Sequence, residues 1–378
     1  MTGIAARRLQ CQRLSGEPFP TAAAAVGSLV AVQSQDYAGA RWAVGQRTRD
    51  VTDSDVDRLC DDGTILRTHV MRPTWHLVLA DDVRWLLDLT APRVRATLAY
   101  YDRRAEVDGA LLRRSLPVIE AALGGGHALT RGELGAALAR AGIAAAGSRL
   151  GHLVMHAELD AIAVSGPRHG KAVTYALLEE RAPAARRLDR DASLAELARR
   201  YFAGHGPAQV RDFVWWSGLT LAEAKRGIAM AGPAITQEQI GDRWYLSSPE
   251  ARRTAARGPV VNLLPNFDEF LVAYRDRSAA LEHASAGSTL PLSAGEVLGN
   301  VVLLDGQVWG YWKRRRSGPD VVLEVGPIDR LGTAASTALQ RAAGRLGRFL
   351  GAPVTIVDRP SHPCHNDERM FATVPRPT

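Results

Sequence analysis

A chain of 378 residues is too long for one compact core, because single cores stop growing near roughly 250–300 residues, so several small modules are expected. Hydrophobic residues make up 46%, no run approaches the roughly 20 apolar residues that span a bilayer, and the start MTGIAARRLQ lacks a secretion signal's apolar stretch, so a cytoplasmic protein is expected. The formal charge is +7, and the three cysteines, Cys11, Cys60 and Cys364, are too far apart and too odd in number for a disulfide framework or a zinc site.

Apolar periodicity predicts helices over Ile4 to Leu14, Ala22 to Val32 and Ala38 to Val44, and Thr52 reads as the N-cap of a fourth carrying Val56 and Leu59. Two β-branched or aromatic runs follow, Ile65 to Val70 and Thr74 to Leu79, so the order is helices and then a hairpin, that of a winged helix. The order returns with helices at Leu116 to Leu123, behind the capping box of Thr130 and Glu133, and at Leu150 to Glu158, with strands at Ala161 to Ser165 and Ala172 to Tyr175. It returns again with helices at Ser193 to Phe202, Gln209 to Trp216 and Thr220 to Met230, closed by strands near Ile235 to Ile240 and Arg243 to Leu246. After the arginine-rich stretch 252–257 the pattern turns to strands at Val260 to Leu264, Val297 to Leu304, Gln307 to Lys313 and Val321 to Val325, with Asp305-Gly306 as a hairpin signal. A helix over Thr333 to Leu350 follows, and the tail from Pro360 reads as an irregular strap. The expected fold is therefore α+β: tandem winged-helix domains at 1–110, 111–185 and 186–255, then a β-barrel-like domain or curled sheet at 256–378.

Four segments then stand in order: Val32-Gln33-Ser34-Gln35-Asp36, Arg72-Pro73-Thr74-Trp75-His76-Leu77-Val78, Leu264-Pro265-Asn266-Phe267-Asp268-Glu269-Phe270-Leu271-Val272 and Asp305-Gly306-Gln307-Val308-Trp309-Gly310. Together they resemble the AlkZ-like winged-helix DNA glycosylases over roughly residues 1–357. The resemblance implies a C-shaped molecule whose basic concave face receives duplex DNA, and a catalytic pair at Gln33 and Gln35, the two-glutamine form associated with excision of bulky alkylated purines and crosslinks. Ser34 departs from the small or apolar residue common between the glutamines. The segment His362-Pro363-Cys364-His365-Asn366-Asp367 has no counterpart, and its tight spacing around a proline fits no common zinc pattern. No metal and no cofactor are expected.

Two amides suffice only for an activated leaving group. An amide is a poor base, but its oxygen orients water and its NH₂ holds a phosphate or sugar oxygen. An N3- or N7-alkylpurine is cationic, so its departure needs little acid assistance. The implied activity is a monofunctional glycosylase on cationic alkylpurines, acting on DNA as a monomer in the nucleoid.

Other residues keep two readings at this point. On one helix Gln33 and Gln35 would lie about 200° apart, so they can face one DNA only if the helix ends between them, as Asp36-Tyr37-Ala38-Gly39 suggests. Asp36 is an N-cap or a water-activating base, the cap being favoured. Arg41 and Trp42 contact phosphate and stack on a base, or Trp42 belongs to the core; of Trp75 and His76, one faces inward and one outward; Trp215-Trp216 reads as core. Lys313, Arg314, Arg315 and Arg316 are placed on a turn, as a solvated loop or, preferably, a phosphate clamp. Only three of the 47 basic residues are lysines; the arginine surplus fits a phosphate partner, and with the alanine runs it equally fits a GC-rich genome. The competing function is a non-catalytic winged-helix regulator, which would usually carry one wing and dimerise.

Overall fold

In the computed structural model of the chain the described residues are 3–250, 258–285, 298–327 and 331–358. The first unit holds α1 (Ile4–Cys11), α2 (Ala22–Leu29), β1 (Ala31–Gln33), α3 (Tyr37–Gly45), α4 (Asp53–Asp61), β2 (Ile65–His69), β3 (Trp75–Leu79) and the long α5 (Val83–Arg104). The second holds α6 (Gly109–Leu123), β4 (Leu129–Thr130), α7 (Arg131–Arg140), α8 (Gly147–Leu159), β5 (Ala163–Ser165), β6 (Thr174–Leu177) and the short α9 (Leu178–Arg181). The third holds α10 (Arg190–His205), α11 (Val210–Ser217), α12 (Leu221–Ala231), β7 (Thr236–Ile240) and β8 (Arg243–Ser247). The remainder is β9 (Val261–Leu264), α13 (Glu269–Val272), α14 (Ser278–Ser285), β10 (Val301–Leu304), β11 (Gln307–Ser317), β12 (Asp320–Pro327), α15 (Thr333–Leu350) and β13 (Val354–Asp358). The fold is mixed α+β.

Local chemistry explains many boundaries. Thr52 and Asp55 form a reciprocal capping box on α4, Thr130 and Glu133 do so on α7, and Thr220 and Glu223 on α12, each satisfying backbone N–H groups that a helix start leaves unpaired. Asp305 at φ 53° and Gly306 at φ 85° make the left-handed turn that joins β10 to β11.

Two expectations change. The helix read over Ala22 to Val32 stops at Leu29, because buried Val30 takes φ 68° and turns the chain so that Ala31 to Gln33 pair with β3 as an edge strand in the order β1-β3-β2. The glutamine motif therefore sits at a strand end, not a helix end. The expected barrel is, among the described residues, an open five-stranded sheet in the order β13-β12-β11-β10-β9, with no pairing between β13 and β9. Its β12–β13 pair is parallel and uses α15 as the crossover.

The cores cross the unit boundaries. One joins Trp42, Val44 and Val56 of the first unit to Trp309, Trp312, Leu346 and Phe349 at the C-terminal sheet. A second joins Val30, Met71 and Trp85 to Tyr201, Phe213, Trp216 and Tyr274. The second unit instead has a core largely its own, around Ile119, Leu134, Leu138 and Leu153. β1, β3, α11 and α13 thus meet at one point, locked by packing from three parts of the chain. Among the described residues no helix is long and apolar enough to cross a membrane. The stretch 252–257 and the segment His362 to Asp367 lie outside the described residues.

Candidate active site

At the end of β1 the backbone N–H of Gln33 donates to Oε1 of Glu269 at 2.9 Å, linking residues 236 apart in sequence. Glu269 is fully buried, and its other oxygen accepts Trp216 Nε1–H at 2.9 Å with His205 Nε2 3.7 Å away. Burial by itself would raise the Glu269 pKa, but His205, the charge of Arg72 and the Gln33 N–H outweigh it and hold the carboxyl below the usual range. It stays an anion in a sealed site.

Arg72 connects this anion to the motif. Its Nη2 donates to Gln33 Oε1 at 2.9 Å and its Nη1 to the carbonyl of Trp216 at 3.1 Å. The donation fixes the amide's orientation, since an NH₂ cannot accept from a guanidinium. Gln33 Oε1 is therefore occupied, and among the described residues its Nε2 makes no hydrogen bond. Opposite Gln33 in the sheet stands His76, whose Nδ1–H donates to Thr74 O at 2.9 Å while Nε2 faces Arg72 at 3.4 Å. Burial and then the Arg72 charge push the His76 pKa down to about 3, so the ring is neutral at physiological pH.

Ser34 is buried, donating its N–H to Trp75 O at 2.7 Å and accepting Arg67 Nε–H on Oγ at 3.0 Å. Arg67 in turn lies over the Trp75 ring, 4.3 Å from its centroid. Gln35 is half-buried, and its Oε1 is enclosed without a hydrogen-bond partner. Buried acceptors are normally satisfied, so this oxygen is open to a donor such as a water. Asp36 caps α3, accepting Gly39 N–H at 3.0 Å on one oxygen and Asn266 Nδ2–H at 3.4 Å on the other.

Backbone strain marks the same place. Val30, Met71 and Phe267 are all buried non-glycine residues at positive φ, 68°, 61° and 59°, just ahead of Gln33, Arg72 and Glu269. Such conformations cost on the order of 1–3 kcal/mol each and persist where the surroundings over-determine them. Gly218, at φ 71°, backs onto the Met71 carbonyl, and a side chain there would collide with it.

The family profile described as DNA glycosylase AlkZ-like matches residues 26–349. The chain belongs to the AlkZ-like DNA glycosylase family. It is 25% identical over 373 residues to the interstrand DNA cross-link repair glycosylase of Streptomyces sahachiroi, covering 94% of this chain and 98% of that protein. The solved structure of the Streptomyces sahachiroi DNA glycosylase AlkZ shares its fold, with a TM-score of 0.75 at 24% identity over 94% of this chain and 98% of that one.

In this AlkZ-like chain the predicted residues part company. Gln33, Gln35 and Asp36 lie together at the strand end. Trp42 is a core residue, buried and donating its indole N–H to Leu263 O at 2.7 Å, which corrects the expectation that it stacks on a base. Arg41, expected on phosphate, is mostly buried and bridges Asp53 at 3.1 Å and Asp57 at 2.8 Å; Asp57 also takes Arg168 and the Tyr37 hydroxyl, so the guanidinium is already neutralised. Lys313 to Arg316 lie within β11, because the ladder with β12 continues through Ser317↔Asp320 and the turn comes only there. Alternation then splits them, Lys313 and Arg315 on one face, Arg314 and Arg316 on the other. Arg315 pairs with Glu324 at 3.0 Å, and the charge of Arg314 reaches Asp53 of α4.

The sequence pattern alone assigns no role to Arg72, Glu269, His205 or Arg67. The doublet Asp268-Glu269 inside an apolar run was the available signal, since charges in such a run must find partners. Asp268 has one: fully buried Arg47 holds both its oxygens, at 2.7 and 2.9 Å.

Proposed function

We propose that the chain hydrolyses the N-glycosidic bond of cationic N3- or N7-alkylated purines in duplex DNA, as a monofunctional, metal-independent enzyme with Gln33 and Gln35 as its catalytic pair. The observation that carries this is the complementary state of the two amides. Gln33 has its oxygen held by Arg72 and its NH₂ unengaged, whereas Gln35 has an enclosed carbonyl oxygen with no partner. One supplies a donor for a phosphate or sugar oxygen and the other an acceptor that orients a water.

The carboxylates described at the site support the lesion class. Asp36 spends its oxygens on Gly39 and Asn266, and Glu269 spends its own on Gln33 and Trp216. Neither is placed to protonate a leaving base, so the base must depart already cationic. The cross-link activity named for the Streptomyces sahachiroi relative extends the reading to bulky adducts and crosslinks.

In this reading the three helix-and-hairpin units, 1–110, 111–185 and 186–255, are winged helices in a C-shaped monomer, with residues 256–378 as the last domain. The recurring element order supports it. Of the β11 cations, Arg314 and Arg316, on the face near α4, then contact the backbone. The test is single-turnover excision from matched duplexes: N7-alkylguanine should be released, uracil and 8-oxoguanine retained, and activity should survive excess chelator. Efficient release of uracil would overturn the leaving-group argument.

A further inference from the structure

Away from the glutamines, a cleft of about 540 Å³ opens between α15, the loop after α1 and the C-terminal end of α3. Gln35 stands two residues before α3 and Gln46 directly after it, so this nine-residue helix, about 14 Å long, separates the two places. The apolar side of α15, with Ala342, Leu346 and Phe349, is buried in the core. Arg341, Arg345 and Arg348 recur at intervals of four and three, share another face, and line the cleft.

The charge there is unbalanced. Arg13 and Arg49 also line the cleft and are engaged by Glu17, through its carbonyl at 2.9 Å and its carboxylate at 3.1 Å, so the excess charge lies on the arginines of α15. Arg345 donates to Val261 O at 3.1 Å, but among the described residues Arg341 and Arg348 form no ion pair. Desolvation of the guanidinium first, and then the charges of Arg348 and Arg341, lowers the Arg345 pKa. Like charges one turn apart destabilise a helix, so the fold bears a cost that a bound anion would remove.

A second observation specifies the anion further. Gln46 lines the cleft and is 8% exposed; its Nε2 donates to Asp268 at 3.2 Å, and its Oε1 is buried with no partner. That oxygen calls for a donor, which a phosphodiester does not bring but a nucleotide's base amino group or sugar hydroxyl does. Trp42 and Phe349, with ring centroids 5.2 Å apart, add an apolar wall.

We propose that this cleft is a nucleotide site, in which Arg341, Arg345 and Arg348 hold a phosphate, Gln46 Oε1 accepts from a sugar hydroxyl or a base amino group, and Trp42 and Phe349 form the apolar wall. The nucleotide is free in solution or is a unit of a DNA strand. Both present the same chemistry.

The test is calorimetric titration of the full chain with ADP, with inorganic pyrophosphate and with an undamaged 12-base-pair duplex, in the wild type and in the double variant Arg341→Ala/Arg348→Ala. Both residues are exposed on a helix, where alanine is well tolerated. ADP should bind one saturable site, more tightly than pyrophosphate, and the double variant should weaken it by at least about tenfold, from the loss of two charge-assisted contacts. Unchanged duplex affinity in the variant then assigns the site to a free nucleotide; a parallel fall assigns it to a nucleotide of the DNA strand. No saturable ADP binding at millimolar concentration, or ADP binding that survives the double substitution, overturns the proposal.

Discussion

Replacing Arg72 by lysine separates charge from geometry in the site. The guanidinium reaches Gln33 Oε1 and the Trp216 carbonyl through two different nitrogens, and it faces Glu269 and the neutral His76. An ammonium in the same space keeps the counter-charge for Glu269 but is a single point donor, so at least one of those acceptors is left without its bond. Losing a charge-assisted bond in a buried site costs about 1.5–3 kcal/mol. If the lost bond is the one that orients Gln33, and the orientation matters only in the transition state, the same energy is about a 10- to 150-fold slower chemical step. Arg72→Ala goes further, since it also strands the buried carboxylate, and should destabilise the fold by about 3–5 kcal/mol. The assays are urea unfolding and single-turnover excision on an N7-alkylguanine duplex, with duplex affinity measured in parallel. A positioning role requires the rate to fall while affinity holds. A lysine variant that excises at the wild-type rate would refute the argument that Arg72 sets the amide, and would leave it a structural counter-ion.

Gln33→Ala and Gln35→Ala should each slow excision by about 10- to 1000-fold, as losses of single positioning groups do. Their stability costs should differ: the first leaves a buried guanidinium nitrogen unpaired, about 1–3 kcal/mol, while the second removes an oxygen with no partner and should be near neutral, and equal melting temperatures would contradict that. His76, ordinarily near 6.5 and held at about 3 in the fold, takes a proton below pH 6.5 only when the chain unfolds. Its contribution is therefore complete above pH 6.5 and lost at up to about 1.4 kcal/mol per pH unit as pH falls toward 3; His76→Gln should flatten that limb of the stability curve, and a variant curve parallel to the wild type would sink the idea. Neutralising Arg314 and Arg316, on the face near α4, should lower the log–log salt slope of duplex binding by up to about 2, whereas neutralising Lys313 and Arg315 should leave it nearly unchanged. Equal reductions would remove the distinction between the faces.

What could be read from the sequence was mostly chemistry that acts within a few residues. Asp36 and Thr52 as caps and the box at Thr130 follow from side chains beside the backbone groups they satisfy, the Asp305-Gly306 turn from its positive φ angles, and the last helix, Thr333–Leu350, from a run that Gly351 ends at φ 62°. Where a distant ladder decides, the reading failed. Four successive cations look like a turn, yet β11 runs through them because each residue from Lys313 to Arg316 finds its partner in β12. α5 went unread altogether: Pro92 stands inside it, a residue that normally ends helices, and the packing of Trp85, Leu86, Leu89, Val94 and Leu98 into the core carries the helix across.

The same division explains why the candidate site was half visible. Two glutamines around a serine can be noticed in a string of letters, but what makes them chemically distinct is supplied by Arg72 from the turn between β2 and β3 and by Glu269 from beyond β9. No local preference would turn the chain at Val30, a β-branched residue for which positive φ is costly, nor at Met71 or Phe267. These turns exist because packing shared by β1, β3, α11 and α13 overrides local energy, and each delivers a polar residue into a place with no room for an unpaired one. The buried anion of Glu269 needs Arg72, Arg72 fixes one face of Gln33, and the strand end then leaves the oxygen of Gln35 as an enclosed acceptor without a protein donor. With the NH₂ of Gln33 and Nε2 of His205 also unpartnered among the described residues, the strand end gathers an open donor and an open acceptor side by side, which is what positioning a sugar or phosphate oxygen and a water requires.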